Sequence, residues 1–131
     1  MQILKTKKFD GFCQDNGIRD EILTEAIKEV KSGLVDAELG AQIVKKRVAR
    51  DGGGKSGGYR TIIFLKLGKR AIFLHGFPKN ALGNIDKNTL ENLKSLAKTY
   101  NKLSDSEIVT AITAGIFVEV KSTTPSLNLR L

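Results

Sequence analysis

Apolar residues recur with a helical period early in the chain. From Ile18 to Val30 they fall four, five, eight, nine and twelve positions after the first, which places them on one face of a helix. Asp20 and Glu21 suit the positive N-terminal end of such a helix, and Gly33 suits its C-terminal end. The pattern predicts a helix over residues 19–32. Upstream, weak alternation predicts a short strand within residues 1–6, and two phenylalanines at helical spacing predict a short helix over residues 7–14.

The middle of the chain has the composition of strands. Residues 43–50, 59–67 and 70–77 are rich in β-branched and aromatic residues. Residues 51–58 contain five glycines and predict a loop between the first two strands. Gly68 and Lys69 predict a tight type II′ turn with glycine first. These three segments therefore predict an antiparallel meander.

Helical periodicity returns near the end. Asp86 is placed to cap a helix that runs to about residue 101, and Ser104 to Glu107 form a capping box for a second helix that ends near Gly115. A short strand is predicted over residues 116–120 and a frayed tail over residues 122–131, so that residues 1–121 form one domain. The order of helices, sheet and helices predicts the α+β class. The apolar stripe of the first of these helices consists of Leu90, Leu93, Ala97 and Tyr100.

Charge is concentrated in one segment. The chain has 131 residues and a formal net charge of +8. Residues 44–80 carry ten Lys or Arg and one acid, whereas residues 1–43 carry a net charge of −2 and residues 81–131 a net charge of +1. Such a basic block attracts polyanions such as nucleic acid, although a solvated face or an acidic protein partner would also explain it.

The remaining composition excludes other classes. No apolar run approaches the roughly 18 residues of a membrane span, and Met1 to Phe9 lack the apolar core of a secretory signal. The lone Cys13 permits no internal disulfide and fits a reducing compartment. We therefore expect a cytoplasmic protein that does not associate with membranes.

The glycine-rich segment resembles a phosphate-binding P-loop only superficially. Ala49 replaces the first glycine of that motif, and the residues after Lys55 and Ser56 have the composition of a strand and not of a helix. A nucleotide-triphosphatase is therefore disfavoured. A flexible hairpin loop remains the simplest interpretation. The interpretation that fits these residues best is a loop whose backbone lies close to a phosphate chain, with Lys55 adding positive charge.

Five basic residues lie in this loop, flank it or follow the third strand, where a meander brings its strand ends together. Arginine binds phosphate through a planar fork, and lysines crowded by arginines shift towards the neutral amine. A neutral lysine would take the proton from an RNA 2′-hydroxyl while arginines hold the pentavalent anion, a route that needs no metal and no cofactor. The five are Arg47, Arg50, Lys55, Arg60 and Lys79, and Lys46 and Arg70 in the same block are further candidates for RNA binding.

Three other side chains have two interpretations each. His75 is either a packed strand residue or a general acid for the leaving 5′-oxygen, because its ordinary pKa is near 6.5. Tyr59 and Phe77 lie beside basic residues, so they either pack in the core or stack on an unpaired base.

Three sequence blocks in order resemble the RelE/HigB-like toxin family of type II toxin–antitoxin systems. They are VKKRVAR at residues 44–50, GKSGGYRT at 54–61 and RAIFLHGFPKN at 70–80, and Asn84–Ile85 fits the last element of the same pattern. The resemblance covers roughly residues 1–120. It departs from the family at His75, where tyrosine is frequent, and at Pro78, where alanine is common.

The resemblance implies a RelE-like fold, with an antiparallel sheet of three to five strands, two N-terminal helices on one side and C-terminal helices. It implies metal-independent cleavage of mRNA in the ribosomal A site and a helix-turn-helix antitoxin encoded by the adjacent gene. By position, Lys55, Arg60 and Lys79 would be the catalytic residues, and Asn80 would orient a phosphate. Some relatives on this fold inhibit DNA gyrase, so a gyrase inhibitor and a nucleic-acid-binding module without catalysis stay open as alternatives.

Overall fold

The computed structural model describes residues 1–49, 58–78 and 85–121. They form a six-stranded sheet with helices on both faces, in the strand order β2-β3-β4-β5-β1-β6. The predicted tail and most of the predicted glycine loop, residues 51–57, lie outside the described residues. The elements are β1 (Gln2–Thr6), α1 (Lys7–Asn16), α2 (Asp20–Lys31), β2 (Ala37–Gly40), β3 (Ile43–Val48), β4 (Tyr59–Lys66), β5 (Arg70–Pro78), α3 (Lys87–Asn101), α4 (Asp105–Thr113) and β6 (Phe117–Glu119).

The helices begin and end where local chemistry favours it. The Thr6 hydroxyl accepts a hydrogen bond from the Phe9 amide at the start of α1, and Gly17 ends that helix with a φ of 66°. Asp86 caps α3 in the same way, and the Ser104–Glu107 capping box opens α4 with both of its reciprocal hydrogen bonds. The helices predicted from periodicity and capping are therefore confirmed.

The sheet separates two apolar cores. On one face, α1 and α2 cover Ile63 and Phe73, and we call this the α1/α2 face. On the other, α3 and α4 cover Ile62 and Phe64, and we call this the α3/α4 face. Consecutive residues of a strand point to opposite faces of the sheet, so β4 and β5 contribute buried side chains to both cores. Their sequences are therefore continuous runs of apolar residues.

The α+β class is confirmed, and the central meander of β3, β4 and β5 is antiparallel as predicted. The sheet is larger than expected and mixed. β1 lies parallel to β5 and antiparallel to β6, and β2 extends the opposite edge. The β1–β5 pairing requires the chain to cross from one side of the meander to the other, which periodicity within a single segment does not reveal.

The turn between β4 and β5 differs from the predicted type. The Lys69 amide donates to the Lys66 carbonyl, so Leu67 and Gly68 are the central residues of the turn. Gly68 has a φ of 76° and Leu67 does not have a positive φ, which is the arrangement of a type II turn with glycine second. The prediction of type II′ was wrong because the loop begins one residue earlier than expected.

Among the described residues, none of the helices combines the length and the apolar character that crossing a membrane requires.

Candidate nucleic-acid interface

A row of three side chains crosses the meander near one end of the sheet. Arg47 on β3 pairs directly with Arg60 on β4, and Arg60 pairs directly with Phe77 on β5. Residues paired across antiparallel strands project from the same face. Their positions alternate with those of Val48 and Ile63, which belong to the α1/α2 core, so the row lies on the α3/α4 face.

Arg60 is the central member of this row. The residue is half-buried, and its Nε atom is buried with no hydrogen-bond partner in the part of the chain that the structure describes. Arg47 is 40% exposed at its side chain, and its Nε lies 3.7 Å from Asp36. A buried guanidinium nitrogen without an acceptor is unusual in a folded protein. The described part of the chain therefore leaves the guanidinium of Arg60 incompletely hydrogen-bonded at Nε.

A β-bulge in β5 places His75 on the same face. Ile62 pairs with His75 but the next residue, Ile63, pairs with Phe73, so Leu74 is the extra residue. Beyond the bulge the alternation of β5 is shifted by one position, which turns His75 and Phe77 away from the α1/α2 face. The two rings lie 5.9 Å apart between their centroids. A strand without the bulge would direct both side chains into the opposite core.

His75 is half-buried between charges of opposite sign. Burial and the cation of Lys8 lower the pKa of His75 below its ordinary value of 6.5, and the carboxylate of Asp86 opposes that shift. The imidazole is consequently neutral near pH 7, the form that accepts a proton. Lys8 and Asp86 were missed by the sequence analysis, because Lys8 lies in a segment of negative net charge and Asp86 was interpreted only as a helix cap.

Two of the sequence-predicted basic residues are committed to ion pairs elsewhere. Lys46 is 4% exposed and its Nζ lies 2.7 Å from a Glu29 carboxylate oxygen on α2, so it belongs to the α1/α2 face. Arg70 is 4% exposed at the opposite end of β5 and pairs with Asp105 of α4. Arg70 lies seven residue steps before Phe77, roughly 23 Å along an extended strand. The structure does not bring Lys46 or Arg70 together with Arg60 and His75.

Tyr59 also lies away from the row. Its ring makes an edge contact with Phe12 of α1, with centroids 5.6 Å apart, and it packs against the α1/α2 core. The packing interpretation therefore describes Tyr59. Phe77 is half-buried on the α3/α4 face beside His75.

Four further predicted residues are not among those that the structure describes. Arg50, Lys55, Lys79 and Asn80 lie outside the described residues. Val48 pairs with Tyr59, and Tyr59 pairs with Pro78, so the chain leaves β3, enters β4 and leaves β5 at the same end of the sheet. That end also carries the row of Arg47, Arg60 and Phe77.

The thiol of Cys13 lies outside the interface. Burial raises the pKa of the Cys13 thiol to about 11, so this cysteine is a packed side chain of α1 and not a nucleophile. Within residues 1–49, 58–78 and 85–121, no three His, Cys, Asp or Glu side chains converge as metal ligands would.

A family model described as the RelE toxin of the RelE/RelB toxin–antitoxin system matches residues 1–120. No curated protein matches the chain.

Proposed function

The chain belongs to the RelE family of toxins, and we propose that it is an endoribonuclease that cleaves mRNA on the ribosome. Its partner as a toxin is an antitoxin, which we propose to be a helix-turn-helix protein encoded by the adjacent gene. The proposed target is mRNA on cytoplasmic ribosomes. Because mRNA is a polyanion, it fits the basic segment of residues 44–80.

One observation carries the proposal. On the α3/α4 face, Arg47, Arg60 and Phe77 follow one another across three adjacent strands, and the imidazole of His75 lies two residues from Phe77 along β5. Two residues along a strand span about 7 Å, which is the scale of a nucleotide unit. Arginine forks match phosphate oxygens, and aromatic rings stack on unpaired bases. This combination supports binding of a single RNA strand with its backbone near Arg60.

The lowered pKa of His75 supports a specific division of roles. We assign His75 as the base that takes the proton from the 2′-hydroxyl, because its imidazole is neutral near pH 7. The 2′-oxygen forms a bond to phosphorus, and the bond from phosphorus to the 5′-oxygen breaks. The leaving oxygen receives a proton from a lysine ammonium, for which Lys55 and Lys79 are the candidates. The sequence suggested lysine in the role of base and His75 in the role of acid. The proposed mechanism reverses these two roles.

Arg60 and Arg47 supply the charge that this reaction needs. The pentavalent phosphorane gains negative charge, and fixed guanidinium groups stabilise it more than they stabilise the ground state. The proposed route uses only side chains of the toxin and requires no metal ion. We expect cleavage to persist when EDTA lowers the concentration of free Mg²⁺ to the minimum that keeps ribosomes assembled.

The experiment compares wild type with Arg60→Met, induced in bacteria, by mapping the 5′ ends of mRNA on translating ribosomes. Wild type should stop growth and generate new ends at A-site codons. Arg60→Met should reduce cleavage by about 100-fold or more, because removal of one transition-state donor has effects of that order. The variant keeps an unbranched side chain of similar length, which preserves packing.

Arg19→Met is the matched control. The Arg19 side chain is 56% exposed, and its ion pair with Glu21 spans 3.7 Å. This change removes the same charge outside the proposed interface and should leave both growth arrest and cleavage as in wild type. Growth arrest with intact mRNA would contradict the proposed nuclease activity. DNA gyrase would then be the next target to test, because its inhibition induces a DNA-damage response.

A further inference from the structure

A groove of about 760 Å³ opens beside His75, between the start of α1 and the side of α3. This volume lies within the range of about 300–1,000 Å³ that is typical of small-molecule sites. The groove faces the same side of the sheet as Arg60 and Phe77, since His75 and Leu74 form part of its wall. It shares His75 with the interface described above.

The charged wall of the groove is basic. Lys7 and Lys8 are both exposed, and neither forms an ion pair with any of the described residues. Among the described residues that line the groove there is no aspartate or glutamate, and the acid that acts on His75 is Asp86. Two unpaired ammonium groups at the rim favour an anionic ligand such as a phosphodiester.

The floor and the opposite wall have a different character. Leu74, Leu93 and Leu96 are apolar, and the half-buried ring of Tyr100 is held by an edge contact with Phe117 at 4.9 Å between centroids. Asn92 is exposed and Tyr100 is half-buried, and they add an amide and a hydroxyl group to the lining of the groove. An amide offers both donors and acceptors, which is what the edge of a nucleobase requires.

We infer that this groove is a nucleotide subsite for the RNA residue that flanks the scissile phosphate. The inference rests on the proposed function. The base lies against the apolar floor, with its edge towards Asn92 and Tyr100, and its phosphate lies between Lys7 and Lys8. The subsite thereby gives the enzyme a means to prefer one nucleotide beside the cleaved bond.

Binding to a labelled RNA tests the charged half of the subsite. The probe is a fluorescein-labelled single-stranded RNA hexamer of mixed sequence, titrated into the full chain at 50 to 300 mM KCl. For single strands, each phosphate contact contributes about 0.7 to the slope of log K against log salt concentration. Lys7→Gln/Lys8→Gln removes one phosphate contact, so it should lower the magnitude of that slope by about 0.7 and weaken binding most at low salt.

The control Lys28→Gln/Lys31→Gln removes two exposed charges from the far end of α2. It should leave the slope at the wild-type value. Equal slopes in wild type and Lys7→Gln/Lys8→Gln would overturn the subsite. Since this experiment measures binding and not cleavage, its result is independent of whether the protein proves to be a nuclease.

Cut-site sequencing tests the base-reading half. Asn92→Ala should change the nucleotide distribution beside the cleaved bond, because a base edge loses its amide partner, whereas Lys28→Gln/Lys31→Gln should reproduce the wild-type distribution. If Asn92→Ala still cleaves RNA with an unchanged nucleotide distribution beside the cleaved bond, the proposed base contact is wrong. The proposed nuclease activity is unaffected by that result. Absence of cleavage in wild type would instead reject the proposed function. The salt dependence of RNA binding would then be the remaining test of whether the groove binds RNA.

Discussion

Arg47 and Arg60 lie directly opposite each other on neighbouring antiparallel strands. Like charges in this position repel and destabilise a sheet. The carboxylate of Asp36 approaches Arg47 at 3.7 Å, but among the described residues no acceptor reaches the buried Nε of Arg60. The fold thus retains a local electrostatic cost at the point where we propose that RNA phosphate binds, and an anionic ligand would relieve that cost.

Replacing Arg60 should therefore stabilise the free protein while it impairs function. We expect Arg60→Met to raise the free energy of unfolding by about 0.2–1 kcal/mol, the range for cross-strand pair effects. Urea denaturation measures this with an unchanged m value. The gain should be larger in 10 mM salt than in 1 M salt, where the Debye length falls to about 3 Å. A loss of stability at both salt concentrations would show that Arg60 is primarily structural.

The sequence singled out Arg47, Arg60, His75 and Phe77 as candidates, but it did not predict which face of the sheet each would lie on. Both faces of β3 carry basic residues, so alternation alone does not tell which face meets RNA. The buried pair of Lys46 with Glu29 of α2 assigns one face to packing, and this pairing depends on tertiary contact. The position of His75 depends in turn on a bulge at Leu74, and no local signal in β5 marks an extra residue.

Gly76 is required by close packing against α1. A Cβ atom at this position would lie 2.6 Å and 2.7 Å from ring carbons of Phe12 and 2.9 Å from Phe9. We expect Gly76→Ala to lower the free energy of unfolding by about 1–3 kcal/mol, as overpacked cores do. Phe12→Leu should reduce this cost in a double-mutant cycle, because it removes the ring that the new methyl group meets.

Gly11→Ala provides a control of opposite sign. A Cβ at Gly11 meets nothing within 4 Å, and the residue lies inside α1. The substitution should raise stability by about 0.5–1 kcal/mol through helix propensity. If Gly76→Ala were as well tolerated as Gly11→Ala, the close approach of β5 to α1 would be refuted.

The hairpin between β2 and β3 explains why β2 was missed. Ala41 and Gln42 have φ angles of 53° and 64°, so they form a two-residue turn of the I′ kind without glycine or asparagine. β2 has only four residues, and its turn lacks the usual sequence signal. A strand this short is formed by its pairing with β3 and not by its own composition.

This turn offers a stabilising substitution. Asparagine tolerates the left-handed region better than alanine, so Ala41→Asn should raise the free energy of unfolding by about 0.5–1 kcal/mol. Ala114→Asn is the comparison, because Ala114 has a φ of −80° and gains nothing from that tolerance. Equal effects at the two positions in urea denaturation would contradict the turn geometry.

His75 is the only histidine in the chain, so a single imidazole resonance reports its ionisation. Burial and Lys8 lower its pKa below 6.5, and Asp86 acts in the opposite direction. We expect NMR titration of wild type to give a value below 6.5, Lys8→Gln to raise it, and Asp86→Asn to lower it further while keeping the helix cap. A pKa of His75 that did not respond to either substitution would place both charges too far away to matter.

The same shift predicts how stability depends on pH. Because the folded pKa of His75 is below that of the unfolded chain, the unfolded state binds a proton at higher pH than the folded state does. The contribution of neutral His75 to the free energy of unfolding is complete above about pH 6.5, and it is lost as the pH falls through the folded pKa. Wild type should accordingly lose more stability than His75→Gln between pH 7.5 and pH 5, since their carboxylates titrate alike. Parallel curves for the two proteins would mean that His75 titrates as it does in the unfolded chain, and its assignment as the neutral base of the reaction would lose its support.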